Sequence, residues 1–286
     1  MKYNIMNKKL SRQRRVSLRL IIVLVVPVIL FMAISWLAPQ REVSAKSQKV
    51  NFRLPASAVQ INDNLYSLGT AFDRKSGEKV EGYAIIHRKN EAARSSGAKT
   101  TPVTCYGFLA KDAKWKNVEP WVVNSTNTRS LDPVFVFDNL GSNIVKWEKA
   151  AAYNILGDGT MTSAALSADT MSPDNQNEVY FTDLSDPNTI AITIIWGVFG
   201  GPTFQRKLVE WDQVYDDTTY DWSASGEPGK MDFENIATHE LGHSVGMADL
   251  YNSSCAKETM YGYAAYGEIQ KRDLNAGDIV GVNKLY

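Results

Sequence analysis

The chain has 286 residues, of which 44% are hydrophobic and 22% charged, enough for one full domain and a smaller addition. Its 31 basic side chains are balanced by 31 acidic ones, so composition offers no basic surface for nucleic acid. Two cysteines limit the fold to a single internal bridge, which excludes a disulfide-dense scaffold.

Lys8, Lys9, Arg12, Arg14, Arg15 and Arg19 precede an uncharged apolar run from Leu20 to Leu37. As a helix that run would rise about 27 Å, close to the hydrocarbon thickness of a bilayer. Residues 1–45 are therefore expected to be a cytoplasmic basic segment followed by a membrane segment, with the rest of the chain exported. Val43-Ser44-Ala45 offers the small residues that signal peptidase prefers. A single-pass anchor at the extracellular face of the membrane and a cleaved signal of a secreted protein both stay open.

From Val50 to His87, two β-rich runs flank the turn cluster Asp73-Arg-Lys-Ser-Gly-Glu78 and predict a hairpin. His87 ends the second run and reads as a solvent-facing or core histidine rather than a metal ligand. Arg88 to Pro102 is polar and reads as a linker. Residues 46–102 are thus expected to form a small β-rich N-terminal region plus linker, for which an inhibitory prosegment is one possible role. Residues 103–286 are expected to form the main domain.

Trp121-Val-Val-Asn124 predicts a strand, and Asp132 before Pro133 is a helix start signal. Val136, Leu140, Ile144, Trp147 and Ala151 then recur at helical spacing and give one apolar face. Asn154 to Asn177, rich in Gly, Asp and Ser, predicts a loop. Strands are expected at Glu178–Asp183, Ile190–Trp196 and Leu208–Asp216. Strands packed on long helices make an α+β domain.

The stretch with the most chemistry is His239-Glu240-Leu-Gly-His243-Ser-Val-Gly246-Met-Ala-Asp249. On a helix begun by Asp232, residues four apart share a face, so His239 and His243 can turn two imidazole nitrogens to one metal. Glu240 then lies beside the open coordination position, where a carboxylate can take a proton from water. Gly246 can adopt the left-handed conformation that ends the helix and brings Asp249 back as a third ligand.

The helix, its glycine turn and the third ligand resemble the metzincin clan of zinc endopeptidases, whose pattern is HExxHxxGxxH followed by a methionine turn. Met260 in Glu258-Thr-Met-Tyr-Gly-Tyr263 stands where that turn belongs, and Asp278-Ile-Val-Gly-Val-Asn-Lys-Leu-Tyr286 is similar to the last helix of the matrixin branch. Asp249 in place of histidine resembles the snapalysin type, and Gly262 replaces the proline found in many matrixins. The resemblance implies a metzincin-like catalytic domain with a twisted mixed β-sheet packed on long helices and an active-site helix. It also implies Met260 as a hydrophobic floor beneath the imidazoles, and Ile190–Trp196 as the edge strand where an extended peptide could dock. Asp278 reads as a helix cap or a buried hydrogen-bond acceptor.

The function expected from these readings is that of an exported zinc-dependent metalloendopeptidase. One zinc held by His239, His243 and Asp249 would activate water, with Glu240 as general base. The alternative is an exported zinc-containing binding or adhesion module without turnover, and hydrolysis of a non-peptide amide is also open. Calcium in an Asp-rich loop has no motif behind it. The partners expected are a polypeptide substrate and, through the N-terminal segment, a membrane, whereas oligomeric state is not legible. A Cys105–Cys255 bridge suits an exported domain, with free buried thiols and a zinc-blocking cysteine as competing readings.

Overall fold

The computed structural model describes residues 51–89 and 104–286. The membrane segment expected at Leu20–Leu37 lies outside the described residues, as does nearly all of the expected linker.

Hydrophobic alternation in the first part of the chain gives three strands, β1 (Val59–Asn62), β2 (Leu65–Phe72) and β3 (Lys79–Lys89). The β2–β3 turn is fixed by Asp73, whose carboxylate accepts from the backbone N–H of Lys75 and of Ser76, each at 3.0 Å. β4 (Glu119–Asn124) leads to α1 (Pro133–Ala151), capped by the Asp132 side chain on the N–H groups of Val134 and Phe135. Val136, Leu140, Ile144, Trp147 and Ala151 are all on its buried face.

The sequence after α1 departs from expectation: β5 (Leu156–Met161) lies inside the stretch read as loop. Its glycines hid it, yet they are required there. A Cβ on Gly159 would stand 2.2 Å from the Trp121 ring, so the strand can pair with β4 only where that side chain is missing. Next come β6 (Asn177–Thr182), β7 (Thr189–Val198) and β8 (Lys207–Asp216), which match the three expected strands within a few residues. β9 (Trp222–Ser223) and β10 (Met231–Asp232) form a small parallel pair before α2 (Phe233–Ser244). β11 (Tyr263–Ala264) and α3 (Ala276–Leu285) complete the described chain.

One mixed sheet runs in the order β1-β2-β3-β7-β8-β6-β4-β5, with β11 beside β3. The larger core lies between this sheet and the helices, where Trp147, Ile195, Trp211, Phe233, Ile236 and Leu241 are fully buried. A second core, with Val80, Ile86, Ile194 and Trp196, covers the opposite face. Trp147 locks α1 to α2 by donating from Nε1 to the Thr238 carbonyl at 2.9 Å.

Two expectations are changed by this topology. Residues 51–89 do not stand apart from the domain that follows: β3 pairs with β7 from Glu81↔Gly197 to Arg88↔Thr189, so both share one sheet and one compact unit. For the same reason β7 is not an edge strand. It has β8 on one side and β3 on the other.

Candidate active site

α2 is positioned from both ends. Asp232 caps its start by accepting from the Asn235 N–H at 3.0 Å, and its own carboxylate is held by Arg272, whose Nε donates at 2.8 Å. Its C-terminal end is stopped by Gly246 at φ +103°, a conformation that side chains other than glycine rarely adopt. Gly246 N–H closes on the His243 carbonyl at 2.9 Å and Met247 N–H on the Gly242 carbonyl at 2.9 Å. The chain is thereby turned back towards the helix.

That turn brings His239, His243 and Asp249 together. Asp249 Oδ1 lies 3.2 Å from His239 Nε2 and 3.4 Å from His243 Nε2. All three atoms are buried without a hydrogen-bond partner. Each imidazole is oriented by its other nitrogen: His239 Nδ1 donates to the Thr259 carbonyl at 2.7 Å, and His243 Nδ1 to the Met247 carbonyl at 3.0 Å. Because carbonyls only accept, the proton sits on Nδ1 and a lone pair on Nε2 faces Asp249.

The donor set fits zinc. Bonds of about 2.0–2.2 Å at a tetrahedral angle separate neighbouring ligand atoms by roughly 3.3 Å, which is the spacing seen here. Leaving three such atoms buried and unpaired would otherwise be costly.

Behind the ligands, Asp278 ties the methionine turn to the site. Its carboxylate accepts from Thr259 N–H at 2.7 Å, from Met260 N–H at 3.1 Å and from Asn275 N–H at 2.9 Å. The same Thr259 holds His239, so Asp278 orients a ligand from two steps away. Met260 is fully buried, and a Cβ on Gly242 would stand 2.1 Å from its sulfur, so the turn seats directly against the helix.

Glu240 is fully buried beside the ligands. Burial raises its carboxyl above the ordinary range, and Thr193 donates its hydroxyl to Oε2. Burial depresses His239 to about 3, reinforced by the neighbouring His87. At His243, burial acts in the same sense but is outweighed by the Asp249 carboxylate, so its value is raised.

His87 takes the core alternative of the sequence reading and adds a contact with the site that the sequence did not single out. The residue read as a surface or core histidine is 1% exposed, and its Nδ1 lies 2.8 Å from Glu240 Oε1. Its ring centroid is 4.0 Å from that of His239. Strand alternation could have hinted at this, since Ile85 and His87 share one face of β3 and Ile85 enters the core beneath the helices. The partner strand β7 is a hundred residues downstream, however, and nothing local names it. Tyr251 is another side chain that the sequence did not single out: its hydroxyl donates to Asp249 Oδ2 at 2.7 Å.

Residues 146–286 match the sequence model of the family described as Matrixin. No curated protein sequence matches the chain. The matched region begins within α1 and contains β5 to β8, α2, β11 and α3, while β1 to β4 lie before it.

Proposed function

Residues 146–286 of this chain belong to the matrixin family of zinc metallopeptidases, and on that premise we propose that it is an exported metalloendopeptidase whose zinc is held by His239, His243 and Asp249. The observation that carries the reading is the convergence of three buried, unpaired ligand atoms on one point next to Glu240. Zinc bound there would supply Lewis acidity, polarising a peptide carbonyl and making water easier to deprotonate.

The remaining chemistry belongs to the protein. Glu240 accepts the proton of the attacking water at its carboxylate and later delivers it to the departing amine nitrogen. Its position beside the three ligand atoms lets one carboxylate serve both halves of that task. Thr193 fixes which way the carboxylate points. The carbonyls of Thr259 and Met247 hold both imidazoles in the tautomer that leaves Nε2 free. Export is supported by the basic and apolar N-terminal sequence.

A purely structural metal site has no use for a buried carboxylate beside its ligands, which favours the enzyme over a binding module. Elemental analysis tests the metal centre: one zinc per wild-type chain and near-complete loss in His243→Ala are expected. Full retention of zinc by that variant would place the metal elsewhere.

A further inference from the structure

Two departures from the matrixin pattern meet at one point. Asp249 stands in place of a histidine, and Gly262 in place of a proline. The structure joins them through a third residue, Tyr251. A Cβ on Gly262 would stand 2.4 Å from the Tyr251 ring and 3.2 Å from the Asp249 carboxyl carbon. The ring can therefore lie against the segment after the methionine turn only where that side chain is missing. Leu250 N–H donates to the Met260 carbonyl at 2.8 Å and Gly262 N–H to the Leu250 carbonyl at 2.9 Å, which holds the two stretches side by side. Tyr263 adds an edge-to-face contact, with ring centroids 5.5 Å apart.

The Tyr251 hydroxyl placed in this way lies between two partners. Asp249 Oδ2 is 2.7 Å away on one side and Asn64 Nδ2 is 2.8 Å away on the other. A hydroxyl has one proton and an ionised carboxylate only accepts, so the proton goes to Asp249 and the hydroxyl oxygen accepts from Asn64. An amide nitrogen only donates, which gives the chain from Asn64 through Tyr251 to Asp249 a single direction. Asn64 is buried in the turn between β1 and β2, and its backbone is fixed on both sides. Its N–H donates to Asn62 Oδ1 at 2.9 Å, and its carbonyl accepts from Ile86 N–H of β3 at 2.8 Å. Oδ2 of Asp249 is thus occupied, and Oδ1, buried and without a partner, is the oxygen left facing His239 and His243.

We infer that Asn64 is a positioning residue for the metal centre, acting through Tyr251 to turn one oxygen of Asp249 towards the metal and hold the other away from it. The inference rests on the metal centre proposed above. A carboxylate free to turn can offer a metal one oxygen or both, whereas one tied at Oδ2 presents Oδ1. Asn64 is separated from Tyr251 by 187 positions and precedes the matrixin-matched residues 146–286. The matched region therefore supplies the ligands, while the first hairpin supplies this support for one of them.

A double-variant cycle on the full chain, read as zinc affinity by chelator competition, tests this without relying on activity. Tyr251→Phe should weaken zinc about 10–100-fold, and Asn64→Leu, which removes the donor at similar volume, about tenfold. The combined variant should match Tyr251→Phe within about twofold, because Asn64 then has no hydroxyl left to orient. Cobalt(II) in place of zinc gives a second readout. Its visible absorption, strongest at four-coordinate sites, should weaken in both single variants as Oδ2 becomes free to bind. Asn64→Ala, which leaves space instead of filling it, serves if the leucine variant does not fold. Wild-type zinc affinity in a folded Asn64 variant, or losses that multiply in the combined variant, would overturn the inference. So would a cobalt(II) spectrum identical to that of the wild type in both single variants. Full retention of zinc by His243→Ala would instead overturn the metal centre on which the inference stands.

Discussion

Asp249 departs from the three-histidine pattern, and its surroundings argue for a ligand over a solvated surface carboxylate. The atom facing both imidazoles is buried and unpaired, while the other oxygen accepts from Tyr251. Asp249→Ala should therefore lose zinc to a mild chelator, with affinity reduced beyond the roughly 10–100-fold that removal of an outer partner costs. Tyr251→Phe, which removes only that partner, should fall within that smaller range. Wild-type zinc affinity in Asp249→Ala, read by chelator competition, would show that Asp249 is a bystander. At this scale the motif was fully legible, because His239, Glu240 and His243 are related by helix geometry alone. Asp249 needed one further inference, the glycine turn. His87 was not legible: its role depends on a strand pairing across a hundred residues, and a lone histidine at a strand end carries no periodic signal.

Among the elements, α1 and α2 could be read because caps and helical periodicity are local. β5 could not, since Gly157 and Gly159 answer to contacts with β4 and Trp121 rather than to strand propensity. The position of β7 in the sheet was the costliest misreading. Its composition is that of a fully buried strand, and the structure gives the reason, with a neighbour on each side. Cys105 and Cys255 illustrate how elements distant in sequence fix the site loop. In the structure they are joined across a sequence separation of 150, clamping the start of the helical half to the segment between Asp249 and Met260. A bridge of that span could stabilise the fold by up to about 5 kcal/mol on the chain-entropy model. Cys105→Ser with Cys255→Ser should lower the unfolding midpoint markedly, and non-reducing peptide mapping of the purified chain should recover one linked pair. Two alkylatable thiols would contradict the bridge.

Across the whole molecule, the first strands and the matrixin-matched region share one sheet, so the organisation is set by long-range pairing that composition shifts at residues 88–102 did not reveal. The same sheet carries an acidic cluster away from the metal centre, formed where β6, β8 and the segment between β5 and β6 meet. Burial and the neighbouring carboxylates of Asp212 and Asp169 push Glu210 up to about 10, and burial together with Asp174 pushes Asp169 up to about 6. A carboxyl raised in the folded state binds its proton more tightly there than in the unfolded chain. Its contribution to stability is thus greatest at acid pH and falls as pH rises from the ordinary carboxylate range towards about 10. Glu210→Gln, neutral at every pH, should remove much of this slope. Thermal unfolding of both chains between pH 5 and pH 9 should diverge on the alkaline side, with the variant the more stable, and parallel curves would contradict the assignment.

The central claim is peptide hydrolysis with Glu240 as the base. The wild-type and Glu240→Gln chains should be loaded with zinc, incubated with an unfolded protein, and the products sequenced for new termini. New termini should arise with the wild type and fall by several orders of magnitude in Glu240→Gln, at unchanged zinc content, because the amide cannot accept a proton. Absence of cleavage by the zinc-loaded wild type, or cleavage that persists undiminished with Glu240→Gln, would contradict the account.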